Sequence, residues 1–158
     1  MKEVFQINSI DEAIIEKERQ RTLLKLRDLI DENWIHEVGS TAVESVIGKQ
    51  DLDFLIRTPK NNFEKTRDIL DFAFERNPQQ MSSDIYQGYT VESELDVALQ
   101  LTIEGGPHDT FLAFLEALRN SPALREQYNE LKKEFHGAPM TDYREAKRRF
   151  IETTLSSF

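Results

Sequence analysis

Apolar residues recur at two different spacings along this chain, and the changes of period predict its elements. From Ser9 to about Asp31, Ile15, Leu23, Leu26 and Ile30 fall on roughly one side of a helix, and Ser9 with Glu12 reads as its capping box. Trp34 to Val38 predicts a short strand, ended by Gly39-Ser40, which opens a helical turn through Val43 to Ile47 that Gly48 breaks. A second strand covers Asp51 to about Arg57 and closes at Thr58-Pro59. Asn61 with Glu64 begins a helix carrying Phe63, Leu70 and Phe74, stopped by Asn77-Pro78. Residues 84–91 and 95–102 are strand-like and pair as a hairpin.

After Gly105-Gly106-Pro107 the pattern turns helical. Asp109 caps a helix with Phe111, Leu115 and Leu118, and Ser121-Pro122 caps and starts the next, striped by Leu124, Tyr128, Leu131 and Phe135. Gly137 and Pro139 end it, and Thr141 starts a last helix through Tyr143, Phe150 and Ile151 to about Leu155. These elements predict an α/β (α+β) fold, a small mixed sheet flanked by helices with a C-terminal helical part. Residues 1–104 form the core and residues 105–158 the helices packed on it, as one compact unit.

Composition narrows the function classes. The 158 residues are 39% hydrophobic, enough for one real core. A net charge of −9 argues against broad nucleic-acid binding, which rests on many Lys and Arg contacts to phosphate. No apolar run approaches a bilayer's thickness, and Met1-Lys2-Glu3-Val4-Phe5-Gln6 lacks the apolar core of a signal peptide. Cysteine is absent, which excludes disulfides and thiolate metal sites, so the expectation is a cytoplasmic protein with no membrane partner.

The candidate chemistry sits at Val38-Gly39-Ser40-Thr41 and Asp51-Leu52-Asp53-Phe54. Alternation along a strand puts Asp51 and Asp53 on one face and Leu52 and Phe54 on the other, toward the core. Two hard oxygen donors on one rigid element suit a magnesium ion that also touches substrate phosphates. Gly39 and Ser40 let backbone N–H groups approach a phosphate at a helix start. In the later run, Asp96, Ala98 and Gln100 share a face, and Asp96 meets the same cleft if the two strands adjoin.

Other residues carry two readings each. Tyr128 and Lys132 are four apart on one helix, and Tyr143 and Lys147 repeat that spacing on the next. They read as amphipathic residues rimming a core, or as lysines bringing positive charge to a bound triphosphate. His36 on a strand and His108 in a Gly-Pro loop read as packed and surface histidines before metal ligands. Trp34 reads as a core anchor. Tyr86 and Tyr89 serve equally as cross-strand packing or as platforms for a nucleobase.

The order of Gly39-Ser40, Asp51-x-Asp53 and a later-strand carboxylate resembles the nucleotidyltransferase superfamily related to polymerase beta. His36-Glu37-Val38-Gly39-Ser40-Thr41-Ala42-Val43, Phe114 to Pro122, Tyr128-Asn129-Glu130-Leu131-Lys132 and Tyr143 to Ile151 resemble the GrpB family within it. That resemblance implies a nucleotidyltransferase-type α/β core with a C-terminal helical part and a metal and nucleotide pocket between them. It implies Asp51 and Asp53 as ligands of Mg²⁺ on a nucleoside triphosphate, Gly39 and Ser40 as the cradle of the β- and γ-phosphates, and Asp96 as a further ligand or proton acceptor. Lys132 and Lys147 become the phosphate contacts, with Arg119 and Arg148 as further candidates. The chain departs from the family pattern in carrying Asp51 where a hydrophobic residue is usual, and Val97, Ala98 and Gln100 where histidines are common.

The expected function is Mg²⁺-dependent transfer of a nucleotidyl group from a nucleoside triphosphate to a hydroxyl on a small molecule or protein. Two alternatives stand beside it: a non-catalytic nucleotide-binding or regulatory module, and an acidic protein-interaction domain.

Overall fold

A computed structural model describes residues 4–5, 11–39 and 51–156. In chain order they form α1 (Glu12–Leu29), β1 (Ile35–Val38), β2 (Asp51–Thr58), α2 (Phe63–Ala73), β3 (Glu75–Arg76), β4 (Ser82–Ser83), β5 (Tyr86–Val91), β6 (Asp96–Ile103), α3 (Phe111–Asn120), α4 (Pro122–Phe135) and α5 (Met140–Ser156). Among the described residues six strands make one mixed sheet in the order β1-β2-β6-β5-β3, with β4 also paired to β5. β2 and β6 run parallel, and β5 and β6 form the predicted antiparallel hairpin.

Strand alternation divides the sheet into two unlike faces. Leu52, Phe54 and Ile56 of β2 lie beside Val97, Leu99 and Leu101 of β6 under α1 and α2, which contribute Ile15, Leu26, Phe63 and Leu70. Each fully buried Leu, Ile or Phe here stabilises the fold by about 1.5–3 kcal/mol. On the opposite face Val38 and Leu55 are covered by Phe114, Leu115 and Leu118 of α3 and Tyr128 of α4, with Phe150 and Ile151 of α5 alongside. Among the described residues, the sheet's contribution to this second core comes from the β1–β2 end. Farther along the same face the sheet carries Asp51, Asp53, Asp96, Ala98, Gln100 and Tyr86.

Local capping signals set the starts of α1 and α4. Ser121 caps α4 by accepting from Leu124 N–H, with Pro122 at the first helical position as predicted. Ser9 lies outside the described residues, as does the helical turn expected over Val43–Ile47, and the cap of α1 is Asp11, whose carboxylate accepts from Ala13 and Ile14 N–H. Asp109 does not cap α3. Thr110 holds that position, because Arg57 and the Gly105 N–H engage the Asp109 carboxylate instead. α2 stops at Ala73, short of Asn77-Pro78, since Phe74 turns into the core and Glu75 and Arg76 pair with Thr90 and Tyr89 as a two-residue strand. β3 and β4 are too short to leave a period in the sequence.

Candidate active site

Asp51 and Asp53 project from the half-buried face of β2. Asp51 stands in register with Asp96 on β6, Asp53 with Ala98, and Asp53 with Val38 on β1. The adjacency of Asp96 to the β2 carboxylates thus rests on the parallel β2–β6 pairing. Gly39, just past β1, adopts φ +81°, the left-handed region open to glycine. A Cβ there would come within 2.5 Å of Asp53 Oδ2, so the glycine lets the backbone press against the carboxylate. Ser40 lies outside the described residues.

α4 and α5 bring the two Tyr-Lys pairs to the same place. Lys132 is 2% exposed and its Nζ lies 4.3 Å from the centre of the Tyr128 ring. Burial, the charge of Lys147 and, in opposition, the carboxylates of Asp51 and Asp53 act on the Lys132 amine, and the balance pushes it down to about 7. The phenols of Tyr128 and Tyr143 lie close enough to influence one another's ionisation. Burial raises both, and the field of Asp51 reaches both phenols. Phe5 stacks on Tyr143 with centroids 3.7 Å apart, which sets its ring against the wall of the site. A cavity of about 30 Å³, room for one water, is bounded by Val38, Gly39, Tyr128 and Lys147 together with apolar side chains of α3 and α5.

The remaining candidates make other contacts. Arg148 is exposed and pairs with Glu145 and Glu152 along α5. Arg119 is exposed on α3, 3.3 Å from Glu116. His36 is half-buried, and burial together with the nearby Arg57 guanidinium depresses it. His108 packs edge-on against Tyr86 with centroids 5.5 Å apart. A larger cavity of about 500 Å³, walled by Thr110, Ala113, Ala117 and Leu155, is lined by none of the candidate carboxylates or lysines.

Two polar groupings escaped the sequence reading. Arg57 grips Asp109 with two hydrogen bonds of 2.7 Å, and the Gly105 N–H completes the carboxylate's shell. On β5 and β6 the Tyr86 hydroxyl lies 3.2 Å from Gln80 Oε1 and 3.3 Å from Gln100 Oε1. No motif marks either grouping, since both join residues from separate elements.

The donor chemistry suits magnesium through a pair of carboxylates. Mg²⁺ is commonly held by one or two carboxylates, with substrate phosphates and water filling its other positions. Among the described residues no three His, Asp or Glu side chains form a group able to hold a metal ion, so Asp96 neighbours the Asp51–Asp53 pair without completing a three-carboxylate cage. Among the same residues no helix is long and apolar enough to cross a membrane.

Known proteins share this architecture. The family profile described as GrpB protein matches residues 6–157. A UPF0157 protein of Vibrio cholerae serotype O1 is 28% identical over 133 residues, covering 84% of this chain and 71% of that protein. The crystal structure of conserved protein GrpB from Enterococcus faecalis superposes with a TM-score of 0.74 at 20% identity, covering 96% of this chain and 98% of the other, a likeness of fold. A profile match across nearly the whole chain and a shared mixed sheet flanked by helices lead to one conclusion: this chain belongs to the GrpB family.

Proposed function

We propose that this protein is a Mg²⁺-dependent nucleotidyltransferase, moving a nucleotidyl group from a nucleoside triphosphate to a hydroxyl of a small molecule or protein. The observation that carries the reading is the meeting of Asp51 and Asp53, on one face of β2, with Lys132 and Lys147 from two separate helices. Carboxylates for a metal and amines for phosphate are then close enough to act on one another's charge. A cysteine-free chain is in keeping with a reducing cytoplasmic setting.

Magnesium, when bound, would neutralise phosphate charge and draw electrons from the reacting phosphorus. Asp51 and Asp53 would hold it. Lys132 and Lys147 bind the outer phosphates beside the Gly39 backbone, and Lys132 gains charge as it does so. The acceptor oxygen forms a bond to the α-phosphorus while the bond from that phosphorus to the bridging oxygen of the β-phosphate breaks. Pyrophosphate leaves on the lysine side, and the acceptor's proton passes to Asp96 or through water. Most of the rate comes from alignment and charge neutralisation.

A thermal-shift screen of nucleoside triphosphates with and without Mg²⁺ tests the reading, because a ligand of the native state raises apparent stability by mass action. The expected result is a shift that needs both components and vanishes in Asp51→Asn/Asp53→Asn. A shift that survives the double substitution sinks the site. Metal-dependent binding without turnover for any hydroxyl acceptor would favour the non-catalytic module, a reading supported by Asp96 standing outside any three-ligand group.

A further inference from the structure

Resting on the nucleotidyltransferase reading, we infer that the β5–β6 part of the same sheet face is the acceptor subsite, where Gln100, Tyr86 and Gln80 select an uncharged hydroxyl compound bearing a neighbouring hydrogen-bond-accepting oxygen.

Reaction geometry fixes the side. In an in-line displacement the attacking oxygen lies opposite the leaving group. Gly39 and Lys147 line the small cavity beside Val38, the β1 partner of Asp53, and Lys132 lies close enough to Lys147 to feel its charge, which assigns that side to pyrophosphate. The acceptor therefore enters from β6 and β5, on the other side of β2 in the strand order. Ala98 is the β6 residue in register with Asp53, and its single methyl leaves room beside the carboxylate. Gln100 comes next on that face of β6, and the Tyr86 phenol feels the charge of Asp53.

Hydrogen-bond arithmetic fixes the chemistry. The Tyr86 hydroxyl has one proton, yet two carboxamide oxygens stand 3.2 and 3.3 Å from it. One contact is made with that proton, and the other becomes a bond when its amide is turned to donate. Neither the Gln80 nor the Gln100 amide nitrogen makes a hydrogen bond among the described residues. At least two N–H donors are thus left for a ligand. Gly88 holds the group together: Gln80 lies across it, and a Cβ at that position would meet Gln80 Oε1 at 1.8 Å and Cδ at 2.9 Å.

Among the described residues no lysine or arginine pairs with Tyr86, Gln80 or Gln100, and the neighbour of the Tyr86 ring is the edge of His108. Arg57, on the same face, is taken up by the two-bond grip of Asp109, while Asp53 and Asp96 repel phosphate or carboxylate. Free N–H donors without a cation select neutral oxygen acceptors such as the hydroxyls of a sugar or the carbonyls flanking a serine. A site built to hydrogen-bond such oxygens discriminates strongly, because rejecting them leaves polar groups unpaired.

The experiment uses the full chain, labelled with ¹⁵N-glutamine, with Mg²⁺ and a non-hydrolysable triphosphate analogue present. Side-chain amide signals of Gln80 and Gln100 are followed while methyl glucoside, N-acetylserinamide and their anionic counterparts, glucose 6-phosphate and N-acetylserine, are titrated. At least one neutral probe is expected to move both signals at a concentration about tenfold below its anionic counterpart, a difference of ~1.4 kcal/mol. Which neutral probe does so separates a sugar acceptor from a peptide one. In Tyr86→Phe the response weakens about tenfold, and Gln100→Lys reverses the preference toward the anionic member, melting curves showing that both variants fold. No response to any neutral probe, or equal response to neutral and anionic pairs, overturns the proposal. A wild-type chain that shows no triphosphate-dependent thermal shift with Mg²⁺ instead removes the nucleotidyltransferase reading itself, and this inference with it.

Discussion

Lys132 lies one helical turn beyond Tyr128 on α4, with its amine 4.3 Å from the centre of the phenol ring and 2% of the residue exposed. Burial and the charge of Lys147 together lower the amine to about 7, against the pull of Asp51 and Asp53. An unfolded lysine keeps its proton to about pH 10.4, so between about pH 7 and 10 the unfolded chain binds more protons than the folded one. The destabilisation is complete below pH 7 and fades as pH rises. Lys132→Met is expected to be more stable than the natural chain by about 1–4 kcal/mol at pH 6, the gap closing toward pH 10. Urea unfolding at several pH values measures this; a variant less stable at pH 6 contradicts it.

The same lysine makes triphosphate binding a proton-uptake event. At pH 8 the free amine is mostly neutral, and contact with phosphate restores its charge. Calorimetry in two buffers of different ionisation enthalpy is expected to show uptake of a large fraction of one proton, lost in Lys132→Met. Equal enthalpies in both buffers would place the phosphates elsewhere.

Gly39 faces both a backbone and a contact requirement. Gly39→Ala must hold an alanine at φ +81° with its methyl 2.5 Å from Asp53 Oδ2. The left-handed backbone alone costs about 1–2 kcal/mol. Lower denaturant midpoints and weakened Mg²⁺-dependent triphosphate binding are expected together, and full stability with unchanged binding would show that the turn bears on neither.

Asp109 links the β6–α3 connection to β2. Its two bonds from Arg57 hold the carboxyl below the ordinary range, helped by Gly105 N–H against the opposing effect of burial. A depressed folded-state carboxyl stabilises the fold above the unfolded value near pH 4, and that stability disappears as pH falls through the lower folded-state value. Asp109→Asn is expected to cost about 1.5–3 kcal/mol at pH 7 and to converge with the natural chain in strong acid. Parallel unfolding curves at all pH values would refute the role.

Glu18 of α1 is 1% exposed, and its Oε1 has no hydrogen-bond partner among the described residues, while Oε2 lies 3.3 Å from the exposed Arg21. Replacing a poorly satisfied buried carboxylate with an apolar group of similar shape removes a desolvation cost. Glu18→Met should raise the melting temperature by several degrees, equivalent to about 1 kcal/mol; a drop would show that the carboxylate supports α1.

Periodicity made much of this molecule legible from the chain alone. Asp-Leu-Asp-Phe dictates carboxylates on one face of β2 and apolar residues on the other, because alternation follows from strand geometry whatever the strand's neighbours are. The four-residue spacing of Tyr128 with Lys132 and of Tyr143 with Lys147 likewise puts each pair on one side of its helix. The hairpin of β5 and β6 and the Ser121-Pro122 start of α4 are local features with local causes.

Tertiary structure alone decided which of these faces meet. The parallel pairing of β2 with β6 sets Asp51 opposite Asp96, and nothing near either residue in the chain encodes that partnership. Docking of α4 and α5 buries Lys132 near the β2 carboxylates and leaves Arg148 outside among glutamates, although both read as basic positions on amphipathic helices. Tyr86, Gln80 and Gln100 become one hydrogen-bonded group only when a turn is folded back across Gly88. A side chain's direction is dictated by its own few neighbours in sequence. Its surroundings are dictated by how distant elements compete to bury apolar surface, and no short window of residues contains that competition.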